Sequence, residues 1–231
     1  MNNINTKQFW EENFRDVEWK NKAREYQTRS FAESQIEHFD ISPYFDGTIL
    51  DFGCALGDAI PIYHKAYPQA KLIGLDISAN AIRKCIEKYG EFATFVSGDH
   101  KSVPVVDIII ASNVFEHLSN DLEIAQELML KCKTLYIVVP YKEQIVPNDE
   151  HVNSYDDQYF DPIARCESKV FLSRGWTQYG FKLIYEIYLK NIVKRLILRR
   201  IRNRSKQIMF KLTESLKSAE GSHETSSATD L

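Results

Sequence analysis

Between residues 48 and 139, short β-branched runs alternate with helical patterns, the signature of repeated β-α units that build a mostly parallel sheet. Residues 48–52, 71–75, 92–96, 105–111 and 135–139 read as strands. The fourth contains VVDIIIA, which lacks polar alternation and therefore predicts a central strand buried on both faces. Helices are expected over 58–66, between Ser78 and Gly90, and over 121–131. Pro61 is tolerable near the first turn of its helix. Ser78 and Ser119 can each cap a helix through the hydroxyl, and Gly90 can end the second helix in the left-handed conformation that glycine adopts cheaply.

After Pro140 the period changes. A polar loop runs to about 154, a short helix is expected over 155–164, and β-rich runs at 169–172 and 181–189 predict an antiparallel pair at one sheet edge. The first 45 residues carry no strand signal and read as helices near 7–19 and 24–39, which cap the sheet or close over a ligand. Further on, Val193, Ile197, Ile201 and Ile208 fall on one helical face with Ile192 and Leu196 beside them. The expected organisation is an N-terminal helical cover (1–45), an α/β domain (46–189), a basic amphipathic helix (190–212) and a disordered tail (213–231) poor in apolar residues.

Composition adds limits rather than detail. The 231 residues are 44% hydrophobic and 26% charged, which excludes collagen-like, disordered and disulfide-scaffold classes. No apolar stretch approaches the length of a membrane span, the start MNNINTKQFWEE lacks a signal-peptide core, and four cysteines occur without a CxxC pair. A cytoplasmic chain is the expectation. Charge is uneven: residues 187–213 hold nine Lys and Arg and no acid, which leaves a net charge of −12 on the remainder. Such an acidic body argues against a broad nucleic-acid surface, and no DNA partner is expected. The basic segment suits contact with an anionic membrane at its inner face, packing on the domain or on a second subunit, or RNA binding.

Chemistry concentrates where strands end. LDFGCALGD at 50–58 places a glycine turn between the first strand and its helix, where open α/β sheets bind ligands. Asp76, Asp99 and Asn113 follow the second, third and fourth strands, so polar groups recur along one edge. A carboxylate after the second strand can accept both hydroxyls of a ribose. Asp58 at the helix start would repel a pyrophosphate, whereas a phosphate-free nucleoside is not penalised.

LDFGCALGD, GLDIS at 74–78, SGD at 97–99 and SNVFEHL at 112–118 together resemble the core of class I S-adenosylmethionine-dependent methyltransferases over about 90 residues. The resemblance implies a doubly wound, mostly parallel seven-stranded sheet of the Rossmann-like methyltransferase type, and S-adenosylmethionine as cofactor. It places Asp51 and Gly53 at the methionine moiety, with Ala55 and Gly57 in the same turn. Asp76 falls at the ribose, Ile77 at the adenine face, and Asp99 and the His100 backbone beside the ring. Asn113 lies at the same edge, and Arg29 is a candidate partner for the methionine carboxylate. Ala55 stands where many members have glycine.

The reaction implied is displacement at a sulfonium methyl, with a base to take the proton of a hydroxyl acceptor. Glu116, His117 and His151 all follow strand ends and are the catalytic candidates, His117 first. A divalent ion on these three is chemically possible, but no metal site is assigned. Tyr155 and Asp156 are expected to border the acceptor pocket. The runs FWEENFRDVEW, QTRSFAES and EHVNSYDD resemble methyltransferases of bacterial surface-glycan pathways, which implies a small-molecule or saccharide hydroxyl as acceptor. A quinone-pathway or amine methyltransferase, and a catalytically silent nucleoside-binding or membrane-adaptor protein, are the alternatives. The oligomeric state is left open.

Overall fold

The computed structural model describes residues 5–15, 18–145, 150–174 and 204–215. Two helices come first, α1 (Lys7–Asn13) and α2 (Glu18–Gln35). Alternating units follow: β1 (Thr48–Phe52), α3 (Ile60–Ala66), β2 (Lys71–Asp76), α4 (Ala79–Tyr89), β3 (Thr94–Ser97), β4 (Ile108–Ser112), α5 (Asp121–Met129) and β5 (Thr134–Pro140). Two long strands close the sheet, β6 (Ala164–Arg174) and β7 (Arg204–Ser215).

The seven strands lie in the order β3-β2-β1-β4-β5-β7-β6. The first five are parallel, and β7 inserts antiparallel between β5 and β6. This is the doubly wound sheet the sequence predicts. Chain order reverses between β1 and β4, and the gap at their carboxyl ends is where such sheets bind ligands.

Alternation along each strand divides the core into two layers. Leu50, Ile109, Leu135, Ile137, Phe210 and Leu212 pack with Ile124, Ala125 and Leu128 of α5. Ile49, Ile108, Ile110, Tyr136, Val138 and Met209 pack on the other face with Ala32 of α2 and Ile60 and Tyr63 of α3. Both faces of the central strands are covered, which explains their unbroken apolar runs.

Several expectations are corrected. The segment 190–212 is not one helix: from Arg204 on it is β7, and 190–203 lie outside the described residues. Alternation explains the strand, because Ile208, Phe210 and Leu212 enter one core layer and Met209 the other. The cation Lys211 reaches Asp40 at 2.9 Å. β7, not 181–189, is the antiparallel partner of β6; 181–189 also fall outside the described residues. The tail expected from 213 begins within β7, and 216–231 are not described. Residues 157–163 form turns rather than a helix. Gly90 keeps a right-handed φ of −62°, and α5 starts after Asn120 without a side-chain cap from Ser119. Ser78 caps α4 as expected, accepting from the Ala81 amide. Among the described residues no helix is long and apolar enough to cross a membrane.

The placement of β7 inside the sheet is testable by truncation. Phe210→Ala removes a fully buried ring and should cost about 3–5 kcal/mol in denaturant unfolding. Leu172→Ala, on a β6 side chain that is 49% exposed, should cost no more than about 0.5 kcal/mol. Equal small losses at both positions would contradict the strand assignment.

Candidate active site

The turn after β1 is held open by three left-handed residues. Gly53 has φ +73° and Gly57 φ +72°. A β-carbon at Gly53 would sit 2.4 Å from a methyl of Val114, so both conformation and space demand glycine there. Ala55 adopts φ +49°, a conformation that costs an ordinary residue about 1–2 kcal/mol. The amides of Gly53 and Cys54 donate to the Leu75 carbonyl at 2.7 and 3.0 Å. Asp76 then bridges the turn to its own strand end, accepting from the Ala55 amide at 2.9 Å and the Ser78 amide at 2.8 Å. Two of the roughly four lone-pair sites of its carboxylate are thereby used, and two remain for a ligand.

Asp51 faces the same crevice from β1 and is almost fully buried. Burial, with the neighbouring Asp76, pushes its carboxyl up to about 7. Burial likewise raises Asp76 to about 6, against the pull of its two amide bonds.

Two cavities open at this edge and share Gly53, Ala55, Asn113, Trp10, Phe14 and His117. The smaller, of about 200 Å³, is lined by Asp76, Ile77, Asp99 and His100 among others. Asp99 is exposed and accepts from the Lys101 amide, while His100 lies 3.3 Å from Glu127. The larger, of about 570 Å³, is lined by Asp51, Tyr63, Gln35, Glu116, His117 and His151 among others. Gly57 does not line either cavity; it lets the turn pack on Tyr89, Cys85 and Phe95.

Three buried polar atoms in the larger cavity have no protein partner: Gln35 Oε1, Tyr63 Oη and Glu116 Oε2. Leaving such an atom unpaired costs about 1–3 kcal/mol, so this wall suits a polar ligand. The polar tail of a nucleoside-bearing cofactor fits it, and the Gly53 turn leaves room for close backbone approach.

α1 lies across both cavities through Trp10 and Phe14. Glu11 fastens it to the start of α4, accepting from the Ser78 hydroxyl and Ala79 amide at 2.8 Å each and from the Asn80 amide at 3.0 Å. Free amides at a helix start attract an anion, which gives the clasp its direction. Sequence reasoning missed Glu11, because nothing in its neighbourhood marks a partner 67 residues away.

The catalytic candidates do converge. Glu116 is 1% exposed, and burial pushes its carboxyl up to about 7 despite its own amide, His151 and Asn113, whose Nδ2 donates to it at 3.0 Å. The rings of His117 and His151 lie 4.9 Å apart, and Trp10 meets His117 edge-on at 5.2 Å. His117 Nδ1 contacts the Glu150 carbonyl at 3.1 Å, and His151 Nδ1 contacts the Glu143 carboxylate at 2.6 Å. Asn113, at φ +55°, also accepts from Gln207 at 2.9 Å, and Gln35 donates to Ser112 at 2.9 Å and to Gln207 at 3.3 Å. This amide network was not legible beforehand, since β7 read as helix.

Three candidates lie elsewhere. Arg29 does not line the cavities: its guanidinium bonds the Tyr89 hydroxyl at 3.0 Å and pairs with Glu25 at 3.2 Å. The polar Gln27 and Thr28 face the cavity in its place. Tyr155 is a core residue, donating to Asp121 at 2.8 Å, and Asp156 is exposed and accepts from the Gln158 amide.

Comparison with known proteins fits this geometry. Residues 50–134 match the family described as "Methyltransferase domain". This stretch is similar to a methyltransferase domain. It contains the turn, Asp76, Asp99 and Glu116. A trans-aconitate 2-methyltransferase of Afipia carboxidovorans is 34% identical over 77 residues, 32% of this chain and 30% of the relative. The chain thus matches about a third of the length of such curated relatives. Among solved structures, phosphoethanolamine N-methyltransferase 2 of Haemonchus contortus, with S-adenosylhomocysteine, is similar at TM-score 0.64 and 11% identity, covering 90% of this chain and 60% of that one. The plantazolicin methyltransferase, also with S-adenosylhomocysteine (SAH), gives TM-score 0.53 and 19% identity, covering 91% and 96%. The fold is the Rossmann-like methyltransferase fold.

The buried carboxyl of Asp51 predicts a pH-dependent affinity for SAH. Its value lies above the ordinary one, so its contribution to the ligand-free fold is intact in acid and is lost as pH rises through about 7. A bound ligand that donates to the carboxylate favours the ionised form. SAH affinity should therefore rise from pH 5 to 7.5, and Asp51→Asn should reduce that rise to the part due to Asp76. A pH-independent affinity in the unsubstituted chain would refute the linkage.

Proposed function

We propose that this chain transfers the methyl group of S-adenosylmethionine to a hydroxyl of a small molecule or saccharide. The observation that carries the reading is the His117–His151 pair, which lines the same cavity as Asp51 and Gly53. In this reading Asp76 takes the ribose hydroxyls and Asp51 with Gly53 the methionine end. Ile77, Asp99 and His100 border the adenine. Bound cofactor supplies an electrophilic methyl on a sulfonium. The acidic wall of Asp51, Asp58 and Glu116 suits that positive charge.

A hydroxyl is a poor nucleophile until its proton is removed, and an imidazole near neutral pH is suited to that task. Nδ1 of each histidine faces an oxygen acceptor, so the proton sits on Nδ1 and the lone pair on Nε2. One Nε2 takes the hydroxyl proton as the oxygen bonds to the methyl carbon and SAH leaves, and the other ring positions that hydroxyl. A polycarboxylate acceptor, such as the aconitate in the name of the relatives, is less well suited. It would meet Asp51, Asp58, Glu116, Glu143 and Glu150, with Lys206 the one lysine or arginine among the described lining residues. The surface-glycan pathway is supported by the sequence likeness of FWEENFRDVEW, QTRSFAES and EHVNSYDD.

The test is a product analysis with isotopically labelled S-adenosylmethionine and a panel of saccharide hydroxyls, amines and carboxylates. Methylation at oxygen of a hydroxyl is expected. His117→Ala or His151→Ala should lower kcat by about 10²- to 10⁴-fold while SAH affinity stays within about twofold. Transfer only to nitrogen or carboxylate, or full activity in both variants, would overturn the reading.

A further inference from the structure

We propose that the outer edge of β6 pairs antiparallel with the same edge of a second copy of this chain, joining two sheets across a two-fold axis at Ser168. The sheet ends on β3 at one side and on β6 at the other. Natural sheets protect such edges by keeping the edge strand short or by placing prolines or charges along it. β3 is protected by its length, 4 residues. β6 runs for 11 residues, contains no proline and, among the described residues, pairs only with β7. Its outer row of amides and carbonyls is a template for one more strand.

The charges on β6 select which strand that is. Glu167, Ser168, Lys169 and Val170 are all exposed. Alternation puts Glu167 and Lys169 on one face of the sheet, the face on which Phe171 packs against the ring of His38. With a two-fold axis at Ser168, Glu167 lies opposite Lys169 of the second copy, and Lys169 lies opposite its Glu167. Two cross-strand ion pairs therefore form at once, one on each side of the axis. On the other face Cys166 and Val170 come opposite each other, so the side chain of Val170, 38% exposed, gains apolar cover.

Other registers are disfavoured by the same chemistry. An axis at Glu167 would set that carboxylate against its own copy and Arg165 against Lys169. An axis at Lys169 would oppose two ammonium groups. An axis at Cys166 would run the pairing through the register shift between Arg165 and Cys166, where the strand is irregular. A lysine on an edge strand ordinarily discourages pairing, and here Glu167 answers it in one register only. The inference goes beyond the function proposed above: pairing needs neither cofactor nor acceptor, and no residue of the candidate site takes part.

Sedimentation of the full chain over a range of concentrations is the first measurement, and a monomer–dimer equilibrium is expected. Glu167→Lys and Lys169→Glu each turn both ion pairs into repulsions, and each should raise the dimer dissociation constant at least about tenfold. An equal mixture of the two variants should form a mixed dimer, since each then faces the opposite charge. The double variant Glu167→Lys/Lys169→Glu should dimerise with itself. These two rescues separate loss of the interface from loss of folding. Ser168→Cys should cross-link to its own symmetry mate under mild oxidation, because opposed residues of an antiparallel pair have Cα atoms about 4.5–5.5 Å apart, within the span of a disulfide. A chain that stays monomeric up to about 100 µM, a dimer that neither reversal weakens, or reversals that the mixture does not rescue, would overturn the proposal.

Discussion

The carboxylate of Asp76 is the interaction on which the site depends. It accepts one amide from the turn after β1 and one from the residue that caps α4, so a single side chain joins two neighbouring β-α connections. The parallel pairing of β1 with β2 brings the two together, and the amides of Gly53 and Cys54 add their bonds to Leu75. The strained φ of Ala55 is held by this surrounding structure, since its amide is one of those that Asp76 receives. The same residue that builds the turn keeps lone pairs for the ligand the turn is shaped to admit. Stability and binding are thus coupled at one carboxyl.

Around that carboxyl the sheet sets a low-dielectric wall. Asp51 takes the place that an aliphatic side chain would occupy on the α2–α3 face of β1, following Ile49 in the alternation. Its burial, like that of Glu116, is a cost the fold carries where a ligand supplies donors or charge. Covering this wall with α1 excludes water from one side, and Glu11 sets the position of that cover by bonding to the helix that Asp76 helps to start. Cover and turn therefore share one set of hydrogen bonds through Ser78 and Asp76, and the catalytic candidate Glu116 belongs to a second set through Asn113, both along the edge of the sheet.

Local chemistry was legible in the sequence; long-range pairing was not. The strand-end positions of Asp51, Asp76, Asp99, Asn113 and Glu116 follow from the β-α rhythm, because a residue after a parallel strand falls at the same edge wherever that strand sits in the order. Arg29 was misplaced because a helix pattern gives spacing but not azimuth, and its guanidinium turns to Tyr89. β7 read as helix since its cations mask the alternation of Ile208, Phe210 and Leu212. With β7 went Gln207, and with Gln207 the network that reaches Gln35, 172 positions earlier in the chain. Glu143 carried no signal of its own, and only the folded loop brings it to His151.

Calorimetric titration of the purified chain with SAH, alongside Asp76→Ala, tests the account most directly. One site of micromolar affinity is expected, with the variant weakened by about 1.5–3 kcal/mol through loss of charge-assisted bonds. A folded chain that binds no SAH, or a folded variant that binds it as tightly as the unsubstituted chain, would contradict the central role given to Asp76.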